Sequence, residues 1–289
     1  MHWAPAVRAW LRHARDILSM PPANSSTPTW WAHKVEGHYD IRRGAAGYAP
    51  IVGAFGALAV PAIIVLFGST HAGRPAYISM AAGLLIVAMV GSLIASIALS
   101  AVGAERDETA NLYATTMFEA VAVVISLASV LGAFEVLAAV YLPGVKTLFA
   151  VIVGVAGVIG IFFTALAIAD SWQSGPSDPG DRAAWIPRQW LQDQNQAEKA
   201  TWFVVATGCV PAALGIILRL LGVMVPPTTE SANIIVGVGF LLTMSSIVLG
   251  AARSRHAIDG FQKALRPREA LGTTMTASGF VLVLMIFLP

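Results

Sequence analysis

Polar and apolar positions are sorted into long blocks along this chain. The apolar blocks run for about 17–30 residues without strict alternation, and short polar stretches separate them. A strand facing a core alternates with a period of two, and a surface helix shows a stripe with a period of 3.6. These blocks show neither restriction and are long enough for helices that are apolar all round. About 20 such residues, rising 1.5 Å each, cross a hydrocarbon core of roughly 30 Å. The pattern predicts spans at about Ala46 to Phe67, Tyr77 to Val102, Tyr113 to Tyr141, Val145 to Ala169, Thr201 to Val225, Ile234 to Ala251 and Thr273 to Leu288. The fold expected is an all-α polytopic transmembrane helix bundle of about seven spans, or six if the short last one does not cross.

The connections set the organisation. Gly68 to Ala76, Gly103 to Leu112 and Leu142 to Gly144 are short and read as hairpin links, whereas Asp170 to Ala200 is long and polar. The chain therefore divides into a cytoplasmic or interfacial region over 1–45, spans one to four over 46–169, a cytoplasmic loop over 170–200, and spans five to seven over 201–289 with a basic loop at 252–271. In the first region Val7, Trp10, Leu11, Ala14, Ile17 and Leu18 fall at helical spacing among arginines. That predicts a basic amphipathic helix lying on the bilayer surface, stopped by Pro21 and Pro22. No short apolar core of a cleavable signal peptide is expected there. No internal repeat is evident.

Composition strengthens the lipid reading. The chain is 56% hydrophobic and 12% charged, about half the charged share of an ordinary soluble domain, roughly 25%. A net charge of +2 gives no argument for nucleic-acid binding. The single cysteine, Cys209, excludes an internal disulfide and reads as a small buried hydrophobe.

Charge placement gives a direction. Putting the N-terminus in the cytoplasm leaves Arg74, Lys146 and Arg219 on the outer side and the other 15 of the 18 Lys and Arg residues on the inner side, as basic residues favour. The C-terminus is then outside if the seventh span crosses. The tryptophans agree: Trp3, Trp10, Trp30, Trp31, Trp172, Trp185, Trp190 and Trp202 all fall on the inner side or its boundary, where an indole anchors in the headgroup zone. Such a one-sided display fits an inner interaction surface; it fits equally outer links too short to hold a tryptophan. Five basic residues in 252–271, with Ile258, Phe261, Leu265 and Leu271 as part of an apolar face, predict contact with anionic lipid at the cytoplasmic face.

Ionisable residues within spans are the candidates for chemistry, because each is costly in hydrocarbon and needs shelter. Glu135 and Arg219 lie at similar depth in the outer leaflet. They are expected either to form a structural pair fixing helix packing, to reach separately for headgroups, or to serve as a gated ion pair or an anion or proton site. Glu119 lies 16 residues before Glu135, which puts the two about 160° apart around a helix. They do not serve one site. Glu119 is expected either to approach Asp170 at the inner end of the fourth span, where two carboxyls in a partly dry site would bind a proton or cation, or to reach inward to water or Arg106. Pro61 and Pro211 are expected to kink or break their helices, which in transporters exposes backbone carbonyls and elsewhere is simply tolerated. Small residues repeat every four positions at Ala88, Ser92, Ser96 and Ser100, and at Ala156, Gly160 and Thr164, as close helix contacts require.

His33, Glu36, His38 and Asp40 have ligand chemistry but lack a zinc spacing, so no metal and no cofactor are expected. No nucleotide loop, nucleophile elbow or CxxC motif is present. The expectation is a non-enzymatic multi-pass protein of the bacterial inner membrane, a scaffold or accessory subunit of a complex such as secretion or conjugative DNA-transfer machinery. Its partners would be the bilayer, anionic lipids, and other membrane subunits or further copies of itself. The alternative is a small secondary transporter or channel using Glu119, Glu135 and Arg219. A membrane enzyme acting on lipid would need a polar constellation that the sequence does not offer.

Overall fold

The computed structural model describes residues 12, 15, 41–68, 75–105, 110–145, 148–160, 202–255 and 267–288. Its helices are α1 (Ile41–Gly68), α2 (Pro75–Gly103), α3 (Ala110–Tyr141), α4 (Leu148–Gly160), α5 (Trp202–Leu220), α6 (Thr229–Arg255) and α7 (Pro267–Phe287). A 3-10 turn at Pro143–Val145 follows α3. Among the described residues there is no strand. Six of these helices, all but α4, are long and apolar enough to cross a membrane. This is the architecture of a multi-pass membrane protein, in which helices satisfy their own backbone. The fourth expected span is described only to Gly160.

The helix ends follow capping chemistry more than hydropathy. The sixth helix starts at Thr229 instead of Ile234, because Thr228 and Ser231 cap it reciprocally. The Ser231 N–H donates to Thr228 Oγ1 at 3.1 Å and the Thr228 N–H donates to Ser231 Oγ at 2.8 Å. The seventh starts at Pro267 instead of Thr273, with proline at its first position and Glu269 in its first turn, so it is not the short element expected. The fifth ends at Leu220 instead of Val225. Gly222 adopts φ +76°, and the N–H groups of Gly222 and Val223 donate to the carbonyls of Arg219 (3.0 Å) and Leu218 (2.9 Å). That is a Schellman stop, which the apolar character of Val223 to Val225 concealed. α1 begins one turn earlier than expected, at Ile41, and continues as helix through both Pro50 and Pro61.

α3 is the centre of the bundle. In its apolar stretch 67% of residues are buried, against 22% in α1. It packs against α2, α6 and α7, while α1 lies along α2 and α7 lies along α5. Leu84, Leu85, Ile125, Phe280 and Leu284 fill the interior between α2, α3 and α7. Lipid gives apolar helices little hydrophobic reason to associate, so close backbone approach matters more. The Ala88/Ser92/Ser96 stripe provides it against α1. A Cβ on Gly56 would lie 3.1 Å from Ser92 Cβ, and one on Gly53 would lie 3.1 Å from Ser96 Oγ. Ser96 Oγ donates to the Ala49 carbonyl at 2.7 Å. On α4 the close face is Gly154, Gly157 and Gly160, set against Ile216, Val281 and Val124. Ile64, Val65 and Phe67 on α1 and Leu241, Val248 and Leu249 on α6 remain exposed, where lipid would cover them.

Candidate functional site

Two buried carboxyls mark opposite ends of α3, about 24 Å apart along the axis by helical rise. At the far end, Glu135 and Arg219 meet. Arg219 Nη2 donates to Glu135 Oε1 at 2.5 Å, and Nη1 donates to the Leu288 carbonyl. The Glu135 side chain is 0% exposed and that of Arg219 is 10% exposed. Depth matching brings the pair together; the third partner is a carbonyl that helix α7 leaves unbonded at its end. A guanidinium is suited to this, since its fork of N–H groups serves a carboxylate and a carbonyl at once. The same end is clipped by the Val225 N–H, which donates to the Ile286 carbonyl at 2.9 Å. One cation thus ties α3, α5 and α7 together.

Midway along α5 the helix is interrupted at Cys209, two residues before Pro211. Pro211 has no N–H to give the Thr207 carbonyl. The next N–H, of Ala212, donates across to Ser278 Oγ on α7 at 2.7 Å. Gly208 lets α7 come close, since a Cβ there would lie 2.5 Å from Thr274 Oγ1. Ser278 and Thr274 are both fully buried. The break is therefore met by a neighbouring hydroxyl. Cys209 itself is only half-buried and is a free thiol.

At the near end, Glu119 faces α6. It is 3% exposed, and its Oε2 has no hydrogen-bond partner. Gly250 makes room for it: a Cβ at that position would lie 3.4 Å from the Thr115 carbonyl and 3.7 Å from Glu119 Cγ. Thr115 Oγ1 donates to the Gly250 carbonyl across a long 3.4 Å. Further along α3 the buried hydroxyls of Ser126 and Ser129 also lack partners. Ser126 Oγ is pressed against Gly91, with Thr243 alongside. A seam of polar groups runs along the α3–α6 contact. The periodicity of Thr115, Glu119 and Ser126 on one helical face was available in the sequence; their lack of partners was not.

Trp202 stands 61% exposed at the start of α5. Asp170, Trp10, Trp30, Trp31, Trp172, Trp185 and Trp190 lie outside the described residues, as do His33, Glu36, His38 and Asp40. So do the expected amphipathic helix, apart from Arg12 and Arg15, the 170–200 loop and most of the 252–271 link. Among the described residues no three His, Cys, Asp or Glu side chains come together as metal ligands. Fold and site together define a class, a multi-pass helical membrane protein with ionisable groups inside its bundle. Beyond that class, no protein-family model, curated protein or solved structure matches the chain.

Proposed function

We propose that this is a non-enzymatic protein of the bacterial inner membrane, with its N-terminus in the cytoplasm, that serves as a scaffold or accessory subunit of a larger membrane complex. The observation that carries the reading is the engagement of Arg219. Its guanidinium is committed to Glu135 and to the Leu288 carbonyl, and so works as a tie between helices. The one-sided basic and tryptophan display supports an inner surface for partners, and the complex proposed is one of the secretion or DNA-transfer type. Solubilisation in a mild detergent, followed by cross-linking from the 170–200 loop and affinity recovery, tests it. Co-purifying membrane subunits or further copies of the chain support the proposal. A monomer that recovers no partner opposes it.

A second reading, a small transporter or channel, is favoured by Glu119, whose Oε2 has no partner inside the bundle. Flux in liposomes that is lost in Glu119→Gln would support it. The absence of flux, or flux unchanged by Glu119→Gln and Glu135→Gln, would refute it.

A further inference from the structure

We propose that Glu119 is the carboxyl of a binding site for a small monovalent cation, H+ or Na+, set in the seam between α3 and α6. The site lies at the end of the bundle where α3 begins and α6 ends. Three observations converge on it. Glu119 is 3% exposed and one of its oxygens has no hydrogen-bond partner. Opposite it stands Gly250, where an added Cβ would lie 3.4 Å from both Phe118 Cβ and the Thr115 carbonyl oxygen, and Thr115 Oγ1 donates to the Gly250 carbonyl at 3.4 Å. The seam then continues inward through hydroxyls that are also unpartnered. Ser126 stands seven residues on, about 10 Å further along the same face, beside Gly91 of α2 and Thr243 of α6, and the unpartnered hydroxyl of Ser129 lies about 80° round the helix from Glu119.

The contrast with Glu135 sharpens the point. That carboxyl has its counter-charge built in, as Arg219. A carboxyl in an apolar interior needs a positive charge, whether from a side chain or from an ion it takes up. Among the described residues, the charged positions at this end of the surrounding elements are Arg42 and Arg43 on α1, Glu105 beyond α2, Arg253 and Arg255 on α6, three and five residues past Gly250, and Arg268 and Glu269 in the first turn of α7. Glu119 is about two and a half turns inside α3. At this level Val204 on α5 and Ala270 and Leu271 on α7 form an apolar cluster with Met117 and Phe118, and Thr273 of α7 brings its hydroxyl within 3.9 Å of Met117 Sδ. Packing alone would be served by leucine or glutamine, so a carboxyl with a spare oxygen is the group to explain. The site is independent of the accessory-subunit reading, because a scaffold can carry an ion site and a transporter can lack partners.

The test is labelling of the purified full-length protein, in detergent, with dicyclohexylcarbodiimide. This apolar reagent adds to a protonated carboxyl and leaves a covalent adduct that peptide mass mapping locates. The expected result is an adduct on Glu119 and none at that peptide in Glu119→Gln, while Glu119→Asp retains it. If the ion is a proton, labelling falls about tenfold for each pH unit above the midpoint, as for a single titrating group. If it is Na+, adding NaCl at fixed pH suppresses labelling and choline chloride does not. Wild-type protein that elutes as a folded species yet never labels at Glu119 would overturn the proposal. So would labelling that responds to neither pH nor Na+. Failure here leaves co-purification with partners untouched, so the two proposals fall separately.

Discussion

Removing the guanidinium of Arg219 strands the Glu135 carboxylate, and the structure says how unequal the two halves of that pair are. Glu135 is 0% exposed at its side chain, whereas Arg219 is 10% exposed and sits in the last turn of α5. In Arg219→Met the carboxylate has no route to water, and breaking a buried pair from one side costs about 3–5 kcal/mol. In Glu135→Leu the arginine keeps the Leu288 carbonyl and its stem is long enough to reach the headgroups. The cost is then smaller, about 1–3 kcal/mol. The double variant removes both charges and keeps the volume apolar, so it should fall within about 1 kcal/mol of the parent. The assay is a double-mutant cycle on unfolding by SDS in mixed micelles. The account predicts that Arg219→Met is the worse single change and that the coupling exceeds about 2 kcal/mol. Costs that simply add, with coupling below about 0.5 kcal/mol, would refute it.

Ser278→Ala leaves the buried Ala212 N–H without its acceptor and should cost about 1–3 kcal/mol in the same unfolding assay. Adding Pro211→Ala to that variant lets α5 close its own hydrogen bonds and should recover part of the loss. Gly56→Leu would drive a side chain into Ser92 and the Met89 carbonyl and should cost about 1–3 kcal/mol. Gly237→Leu, where a Cβ meets nothing within 4 Å, should be neutral within about 0.5 kcal/mol. Ser96→Ala removes the interhelical bond to the Ala49 carbonyl and should lower stability by about 1 kcal/mol.

Much of the bundle was legible because hydropathy and helix length are set by the same bilayer thickness. α2 departs from its expected span by two residues at one end and one at the other. α3 stood out for its two carboxylates, and its central position follows from their need for shelter. Departures occurred where backbone chemistry overrides apolarity: the Schellman stop at Gly222, the Thr228–Ser231 cap, and Pro267 opening α7. The meeting of Glu135 with Arg219 could be read from matched depth, but the Leu288 carbonyl could not, since a backbone acceptor has no signature in side chains. Ser278 was hidden for the opposite reason: many hydroxyls lie in these helices, and only the fold selects the one that faces the break at Cys209. Pro61 and Pro211 look alike in sequence. The helix runs on through Pro61 and is interrupted next to Pro211.

The central claim is that this chain threads a bilayer around α3, with its basic links on the cytoplasmic side. Thiol labelling of intact cells with a membrane-impermeant maleimide tests it most directly, with Cys209→Ser as background. Gly144→Cys, in the exposed turn after α3, should label in intact cells, and Lys263→Cys should label only after the membrane is opened. Labelling of Lys263→Cys from outside, or recovery of both variants in the soluble fraction without detergent, would contradict the account.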